Sequence, residues 1–368
     1  MKAARFHAKS DIRIETIPDP PPPGPNEVTI DVHWGGICGT DLHEYIVGPR
    51  VINTASRPHG LTGSCLPLTL GHEFCGRVSE VPEGSKLQVG QAVMVDPRLN
   101  CRECLACTSG RANVCEKWGF LGLNGGGGGG AGFSEKVNVA SRMCYVLDES
   151  VDLDDAVLIE PLTVGRHALA ATGIEDFSGL NVLVVGGGPV GVAVLYNLRA
   201  KGVGRLLVSE PTAKRSDLVR ELGLASGDDV MNPLIVSVPE ECLSRTEGKG
   251  IDVVFDCAGI PAGLEAGADA LRAGGMYMNV AGWELPMTIP MQYCMLKELT
   301  VKFSMAYDDK DFQDVVADFA AGKFAGVEKM ITARVTLDDI VSKGFDELLT
   351  KKDDHVKIVV TPRAGLST

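Results

Sequence analysis

Four of the eleven cysteines in this 368-residue chain stand together between residues 96 and 119. Their spacing is C-x2-C-x2-C-x7-C, and they are Cys101, Cys104, Cys107 and Cys115. Such spacing lets a tight loop turn three thiolates inward while the fourth completes a tetrahedron, and four thiolates leave no open coordination position. The pattern therefore predicts a structural zinc site that fixes a loop with little hydrophobic core of its own.

Other uses of these cysteines stay open at this point. A chain of this length does not need disulfide bonds to fold, and an odd number of cysteines in a reduced compartment is more typical of metal binding. An iron-sulfur cluster is the sharper alternative, because C-x2-C-x2-C also begins ferredoxin sites. Those sites continue with a shorter gap and a proline after the last cysteine, whereas Glu116 follows Cys115 here.

A second constellation has the residue types of a catalytic zinc site. It comes from the segments GGICGTDLHEY, LTLGHEFCGRV and VLIEPLTVGRHAL, and its members are Cys38, Thr40, His43, His72, Glu73 and Glu160. A thiolate, an imidazole and a carboxylate can hold zinc with one position open for water or substrate. Each residue alone is equally typical of a buried cysteine, a core histidine or an acid at a helix start. Their joint occurrence with the cysteine cluster favours the metal site.

A glycine-rich turn begins near residue 180. In NVLVVGGGPVGVAVLYNLRAKG, a short apolar strand precedes the turn and an apolar helix follows it. The glycines permit a tight turn, close approach of a pyrophosphate and close helix packing, and the phosphates then bind at the helix N-terminus. The candidate dinucleotide-binding residues are Gly186, Gly188, Pro189, Val190 and Gly191.

An acid at the end of the next strand indicates which dinucleotide binds. Glu210 ends the segment RLLVSE, and a carboxylate there accepts both ribose hydroxyls and repels the 2′-phosphate of NADP. We therefore expect NAD(H). Lys214 and Arg215 follow on the next predicted helix and could brace the adenosine side. The alternative for Glu210 is an acid that faces solvent at a strand end.

The pattern of strands and helices predicts an α/β protein with two domains. After the glycine-rich turn, strands alternate with helices, which is typical of a parallel, doubly wound sheet. Before residue 150, short alternating segments such as EVTIDVHW, QAVMVDP and FSEKVNVA predict a β-rich domain. The six glycines at 125–130 predict a flexible loop.

Charge and composition exclude several partner classes. A net charge of −13 argues against nucleic acids and anionic membranes, which require concentrated Lys and Arg. The N-terminus has no apolar signal region, and no later run approaches a membrane-spanning length. With 45% hydrophobic residues the chain is expected to fold into well-formed cores. We expect a cytoplasmic protein.

These motifs together resemble the zinc-dependent medium-chain alcohol dehydrogenases. Within that family, VAGWELPMTIP, AYDDKDFQDVVADFAAGK and MITARVTLDDIVSKGFDELL resemble the fungal (R,R)-2,3-butanediol dehydrogenase branch, near the sorbitol dehydrogenases. The resemblance implies a GroES-like catalytic domain at 1–161 and 300–368, with the zinc lobe at 96–119, and a Rossmann NAD-binding domain at 162–299. It places the active site in the cleft between the domains.

The resemblance also implies roles for the site residues. Cys38, His72 and Glu160 would hold catalytic zinc, with Glu73 as a neighbouring or exchanging carboxylate. Thr40 would take the alcohol proton and pass it, through the cofactor ribose, to His43 and solvent. The chain would thus carry two zinc ions, use NAD, and interconvert a secondary alcohol or vicinal diol of the 2,3-butanediol type with its ketone.

Some features leave the substrate open. Arg166 stands where the butanediol branch is expected to have an apolar residue, and it would face either the cleft or a subunit surface. The long segment 45–67 would border the substrate pocket. The alternatives are a polyol dehydrogenase, a dehydrogenase of specialised metabolism, or an NAD-binding zinc sensor without turnover. The resemblance further implies a homodimer or homotetramer, often joined at the edge of the Rossmann sheet.

Overall fold

The computed structural model of this chain describes residues 1–283, 287–289 and 291–363. Residues 284–286 and 290, which belong to the quoted segment VAGWELPMTIP, lie outside the described residues, as do residues 364–368. The chain divides into two compact units. Unit 1 contains Met1–Glu160, Phe312–Gly322 and Ile331–Thr368, and unit 2 contains Pro161–Asp311 and Lys323–Met330.

The first 158 residues form the β-rich part of unit 1. The strands in chain order are β1 (Lys2–Ala8), β2 (Asp11–Thr16), β3 (Glu27–Gly36), β4 (Leu68–Thr69), β5 (Glu73–Glu80), β6 (Ala92–Val95), β7 (Arg98–Leu99), β8 (Gly119–Phe120), β9 (Lys136–Ala140) and β10 (Cys144–Val146). The helices are α1 (Gly39–Val47), α2 (Leu105–Thr108) and α3 (Leu153–Ala156).

Strand β3 is at the centre of unit 1. It pairs antiparallel with β5 along its length and with β9 over its first five residues. Val28, Ile30 and Val32 alternate along β3 and are fully buried against Phe74 and Val93, as expected for a strand with one face in a core. Because β3 ends at Gly36 and β5 begins at Glu73, the register places the start of α1 beside the His72–Glu73 turn.

The middle of the chain supplies unit 2. Its elements in chain order are α4 (Ile159–Thr172, which begins in unit 1), β11 (Asn181–Val185), α5 (Pro189–Ala200), β12 (Arg205–Ser209), α6 (Ala213–Glu221), β13 (Val230–Met231), α7 (Val238–Arg245), β14 (Ile251–Asp256), α8 (Pro261–Ala270), β15 (Leu271–Asn279), α9 (Met291–Leu296) and β16 (Thr300–Phe303).

Six strands in the described part of unit 2 form one parallel sheet. Their order is β13-β12-β11-β14-β15-β16, which is the doubly wound order of a dinucleotide-binding fold. Strand β11 is a continuous apolar run buried on both faces, which is typical of a central parallel strand. The order reverses between β11 and β14, and ligands bind at such a switch point beyond the carboxyl ends of the strands. The predicted α/β class is confirmed.

The chain returns to unit 1 at its C-terminal end. Its last elements are α10 (Asp309–Ala320), β17 (Ile331–Thr336), α11 (Asp346–Thr350) and β18 (Lys357–Thr361). Strand β18 pairs antiparallel with β3 at Gly35 and Gly36, so it reaches the same point of the sheet as the His72–Glu73 turn.

The chain re-enters unit 1 at Phe312, later than the predicted boundary at residue 300. The prediction assigned 300–368 to the first domain, whereas residues 300–311 and 323–330 lie in unit 2. The reason is that β16 hydrogen-bonds to β15 as the last strand of the parallel sheet. The division at Glu160 is within one residue of the predicted one. The catalytic and cofactor roles of the two domains stay predictions.

The glycine run at 125–130 is not the flexible loop that its composition predicted. The Gly127 carbonyl accepts a hydrogen bond from the Asn138 backbone N–H at 3.1 Å. Thr69 Oγ1 donates to the Gly129 carbonyl at 2.6 Å. A Cβ at Gly127 would overlap the carbonyl oxygen of Asn138. The glycines are there because backbone packs on backbone, with no room for side chains.

Among the described residues, none of the helices combines the length and the apolar character that crossing a membrane requires.

Candidate active site and metal centres

The four cysteines of the 96–119 segment meet at one point. Their Sγ atoms lie within 4.8 Å of one another; Cys101 Sγ is 3.5 Å from Cys115 Sγ and 4.0 Å from Cys107 Sγ, and Cys104 Sγ is 3.9 Å from Cys115 Sγ. A tetrahedron with zinc–sulfur bonds of about 2.3 Å has edges of about 3.8 Å. The sulfurs therefore enclose room for a single ion, and the spacing is too wide for disulfides and too narrow for a multi-iron cluster.

Backbone hydrogen bonds in this cluster favour ionisation of one thiol, that of Cys104. Backbone N–H groups at Glu116 and Cys107 lower the pKa of Cys104 to about 6. Burial, with the neighbouring sulfurs, raises the pKa of Cys107 to about 12. One thiolate is thus favoured and further ones are opposed unless a cation joins them, which is the condition that a divalent ion satisfies.

The second constellation also assembles in unit 1. Donor atoms of Cys38, His72 and Glu73 lie within 4.8 Å of one another. Cys38 precedes α1 as its N-cap, and the other two residues form the turn into β5, so the pairing of β3 with β5 brings the segments together. His72 and Glu73 are buried, whereas Cys38 is half-buried. A thiol, an imidazole and a carboxylate in this arrangement fit zinc with a position left open.

Asp41 orients both the cysteine and the histidine. Its carboxylate accepts a hydrogen bond from the Cys38 backbone N–H at 3.0 Å, and its other oxygen lies 3.4 Å from His72 Nδ1. Burial lowers the pKa of His72, but the charges of Asp41 and Cys38 outweigh burial and hold that pKa well above its usual range. Such negative surroundings equally favour a metal cation, and a carboxylate behind a ligating histidine fixes its tautomer. The sequence prediction missed Asp41, although it lies within the CGTDLH motif.

Glu73 has a buried cationic partner. Lys357, the first residue of β18, forms an ion pair with the Glu73 carboxylate, and each side chain is 2% exposed. Burial lowers the pKa of Lys357, but the charges of Glu73 and Cys38 raise it by more. A Cβ at Gly36 would overlap Glu73 Oε2 and lie 3.0 Å from Lys357 Cε, so only glycine leaves room for this pair.

The remaining predicted residues of this site lie as follows. Glu160 is 4% exposed and lies at the end of the first segment of unit 1, where its charge acts on Lys357. The donor atoms that lie within 4.8 Å of one another belong to Cys38, His72 and Glu73, and Glu160 is not among them. Thr40 Oγ1 is 3.8 Å from Cys38 Sγ. Thr40 and His43 are half-buried and lie three residues apart on α1, where side chains share a face.

The glycine-rich turn in unit 2 has the geometry of a phosphate-binding loop. Gly186 has a φ of +99°, and a Cβ at Gly191 would overlap the Gly186 carbonyl oxygen. Gly188 is the N-cap of α5, with Pro189 in its first turn and Val190 next along the helix. The turn therefore leaves backbone N–H groups at a helix N-terminus without side chains above them, which suits a pyrophosphate.

Glu210 lies beside this turn and is not a solvent-facing acid. It is 2% exposed, and its carboxylate accepts hydrogen bonds from the Gly187 N–H at 2.6 Å and the Thr212 N–H at 2.7 Å. Arg215 also approaches the turn, with Nη1 3.8 Å from the position of a Cβ on Gly188. A carboxylate held this way fits a pair of ribose hydroxyls.

The structure shows the hydrogen-bond partners of Arg166 and of the long segment 45–67, whose roles the sequence left open. Arg166 on α4 donates from Nε to Asn197 Oδ1 on α5 at 2.5 Å, within unit 2. In the segment 45–67, His59 Nε2 is 3.0 Å from the Trp118 carbonyl oxygen, and the Asn124 amide donates to the Val51 carbonyl at 2.8 Å. The long segment is therefore anchored on unit 1.

Comparison with known proteins identifies the family. Residues 24–149 match the model described as alcohol dehydrogenase GroES-like domain, and residues 189–321 match zinc-binding dehydrogenase. The chain is 38% identical over 363 residues to a Neisseria gonorrhoeae (R,R)-butanediol dehydrogenase, covering 98% of this chain and 99% of that one. It is 34% identical to the Saccharomyces cerevisiae (R,R)-butanediol dehydrogenase, covering 98% of each. The chain belongs to the zinc-dependent medium-chain alcohol dehydrogenases.

A solved structure agrees with this family. The Bacillus subtilis 2R,3R-butanediol dehydrogenase superposes with a TM-score of 0.88 at 36% identity, covering 98% of this chain and 99% of that one. This medium-chain alcohol dehydrogenase is accordingly an NAD-dependent zinc enzyme that acts on CH–OH donors. The predicted resemblance, fold class and enzyme class are confirmed.

Proposed function

We propose that this enzyme interconverts a small vicinal diol or hydroxyketone of the 2,3-butanediol and acetoin type, using NAD(H). The observation that carries the proposal is the three-donor site of Cys38, His72 and Glu73, with a hydroxyl and an imidazole on the adjoining helix turn. The substrate class comes from the butanediol dehydrogenases at 34–38% identity. The cytoplasm is proposed as the compartment, because thiol clusters for metal stay reduced there.

We assign the ligands as two sets, one ion for each. Cys38 and His72 would hold the catalytic ion with one carboxylate, either Glu160 or Glu73, of which Glu73 belongs to the same group of donor atoms, and Cys101, Cys104, Cys107 and Cys115 would hold the structural ion. Bound zinc supplies Lewis acidity toward an alcohol or carbonyl oxygen, and NAD supplies the hydride acceptor. Thr40 Oγ1 accepts the proton of the alcohol, and the His43 imidazole carries that proton on to solvent. Gly186, Gly188, Pro189, Val190, Gly191, Glu210 and Arg215 bind the dinucleotide.

A substrate panel tests the function. Purified enzyme is assayed by NADH absorbance with stereoisomers of 2,3-butanediol, with sorbitol and xylitol, and with bulky secondary alcohols. The highest kcat/KM is expected for a butanediol isomer. Faster turnover of polyols would favour a polyol dehydrogenase, and faster turnover of bulky alcohols would favour a specialised-metabolism enzyme. NADH binding without turnover of any alcohol would favour the sensor.

The carboxylate of Glu210 is expected to set the cofactor preference. Glu210→Ala removes a charged acceptor, and each hydrogen bond to such a group contributes about 1.5–3 kcal/mol, so the KM for NAD should rise about ten- to a hundredfold. NADP should be used more readily, because its 2′-phosphate no longer meets an anion. Steady-state kinetics with both cofactors measure this.

Glu221→Ala is the matched control for Glu210→Ala, since Glu221 ends α6 in the same unit and pairs with Lys329 on the surface. Its cofactor preference should equal that of the wild type. An unchanged NAD-to-NADP ratio in Glu210→Ala would remove the ribose-binding role from Glu210.

We also propose a homodimer joined along β16. Within the described residues, β16 pairs only with β15 and so presents an open edge. Phe303 at its end is 63% exposed, and Met291, Met295 and Leu296 on α9 are 67–73% exposed. An apolar surface beside an open strand edge is a site for pairing with a second copy. Multi-angle light scattering should give twice 39.0 kDa, or four times in a tetramer.

Phe303→Asp is expected to reduce that mass to one chain, because it buries a charge at the paired edge. Val89→Asp is the control, since Val89 is also 63% exposed but lies in unit 1. An assembly that keeps its wild-type mass with Phe303→Asp would exclude β16 as the interface.

A further inference from the structure

The segment 45–67 joins two parts of the candidate active site but has almost no apolar core of its own. It begins within α1, which carries Thr40 and His43, and it leads into β4 shortly before the His72–Glu73 turn. Between residues 53 and 67, all of which the structure describes, His59 is the only buried residue. A segment with so few apolar contacts opens easily unless polar contacts fix it.

His59 attaches this segment to the four-cysteine lobe. It is 7% exposed, and its Nε2 lies 3.0 Å from the carbonyl oxygen of Trp118, which follows shortly after Cys115. A carbonyl oxygen can only accept, so Nε2 carries the ring proton and donates the hydrogen bond. A Cβ at Gly119 would lie 2.9 Å from His59 Nε2, so glycine leaves the space for this contact.

Asn124 makes a second attachment, at the base of the lobe where β7 pairs with β8. It is 3% exposed, and its Oδ1 accepts the Phe120 N–H at 3.1 Å while its Nδ2 donates to the Val51 carbonyl at 2.8 Å. Its own carbonyl accepts a hydrogen bond from Thr62 Oγ1 at 2.6 Å. The Val51 N–H in turn donates to Glu44 on α1 at 2.7 Å. Asn124 thus connects β8 to two points of the segment.

The same part of the chain contacts the histidine of the open metal site. The ring of Phe120 lies 5.6 Å from the ring of His72, measured between centroids. A Cβ at Gly122 would overlap the carbonyl oxygen of Gly71, so the backbone after β8 packs directly on the residue before His72. The base of the lobe therefore lies against both the segment 45–67 and the turn that supplies a metal ligand.

We propose that the ion of the four-cysteine lobe positions the segment 45–67 for substrate binding, with His59 and Asn124 as the positioning residues that connect the two. The inference rests on the proposed function, because it takes the four cysteines as ligands of one ion and the segment as a border of the substrate pocket. Without the ion, the lobe has little core to fix the Trp118 carbonyl and β8, so the contacts of the segment weaken. By linkage, loss of those contacts must also weaken binding of the ion.

Hydrogen exchange tests this connection without substrate. In Cys104→Ser and in His59→Ala, the backbone N–H groups of residues 48–66 should exchange about tenfold faster than in the wild type, while those of β11 and α5 keep their rates. His59→Gln should restore protection, because its amide can donate to the same carbonyl. Cys144→Ser is the control and should exchange like the wild type. Equal exchange of residues 48–66 in Cys104→Ser and the wild type would overturn the proposal.

Release of the lobe ion measures the connection in the reverse direction. Cys38→Ala, which is expected to hold that ion alone, is the reference protein. Adding His59→Ala should speed release of zinc to a chelator about tenfold, because the coupling is reciprocal. Adding Asn124→Asp should do the same, since aspartate keeps the acceptor for the Phe120 N–H but loses the donor to Val51. Release at the reference rate in both combinations would overturn the proposal.

Turnover distinguishes positioning from a loss of folded enzyme. His59→Ala should raise the KM for the preferred diol about tenfold, with kcat and the dissociation constant of NADH within about twofold of the wild type. His59→Gln should restore the KM. A merely structural role would lower the fraction of active enzyme, and hence kcat, at an unchanged KM, and that result would contradict the proposal.

Failure of this inference is distinguishable from failure of the proposed function. Hydrogen exchange and zinc release need no substrate, so a wild type that oxidised no alcohol would contradict the proposed function and leave both measurements valid. If Cys104→Ser does not fold, the release rates of the His59 and Asn124 variants decide the outcome. A wild type without an ion in the lobe would overturn this inference, whereas its turnover of a diol would still support the proposed function.

Discussion

Replacing Cys38 by alanine is expected to lower kcat by about a thousandfold or more while NADH still binds. The reason is that the catalytic ion loses its thiolate ligand, and with it several kcal/mol of stabilisation of the charge on the reacting oxygen. The dinucleotide contacts are unaffected, since Gly186–Gly191 and Glu210 belong to unit 2. Steady-state kinetics with the preferred alcohol and NADH fluorescence titration measure the two effects.

The control for this variant is Cys144→Ala. Cys144 is half-buried on β10 and belongs to neither cysteine-containing metal cluster, so its replacement removes a thiol without touching a ligand. Elemental analysis should find two zinc ions per chain in the wild type and in this control, and one in Cys38→Ala. Normal turnover by Cys38→Ala, or a wild type with a single ion confined to the four-cysteine lobe, would contradict the proposed mechanism.

Replacing Cys104 by serine is expected to have the opposite profile, with a large loss of stability and a small change in chemistry. Serine is a poor zinc ligand, so this variant should lose the structural ion. The lobe has little apolar core to replace the ion, since helix α2 spans only four residues and none of them is buried. Loss of the ion should cost about 3 kcal/mol or more and lower the melting temperature by about 10 °C. Thermal melts beside kinetics at low temperature measure this.

Cys144→Ser is the matched comparison for the lobe, and it should melt close to the wild type. If Cys104→Ser kept both its metal content and its melting temperature, the four sulfurs would not hold an ion. A fall in kcat as large as that of Cys38→Ala, with the melting temperature unchanged, would move the lobe from a structural to a catalytic role.

The sites that were predictable are those whose residues are near one another in the chain. The four cysteines fall within fifteen residues, and Gly186, Gly188 and Gly191 within six, so local spacing alone restricts what these side chains can do. The sequence of β11 followed by α5 likewise predicts its own structure, because an apolar strand, a glycine turn and Pro189 at a helix start have few alternatives.

Residue composition misled where packing decided the outcome. Six glycines predict flexibility, yet the run at 125–130 is held between Asn138 and Thr69 because its backbone lies against other backbone. Arg166 was expected to face a cleft or a subunit surface, and that choice stays a prediction; what spacing along the chain did not show is that its Nε bonds to Asn197 Oδ1 on the next helix of the same unit. Neither partner is visible from spacing along the chain.

The sequence by itself determined the fold class, the family, the glycine turn and the two sets of candidate metal ligands. Only the tertiary structure brought Cys38 beside His72, since that contact depends on the register of β3 with β5. It alone placed Lys357 on Glu73, through the pairing of β18 with the end of β3. The physical reason is that buried charges must be matched in space, and the strands that match them come from opposite ends of the chain.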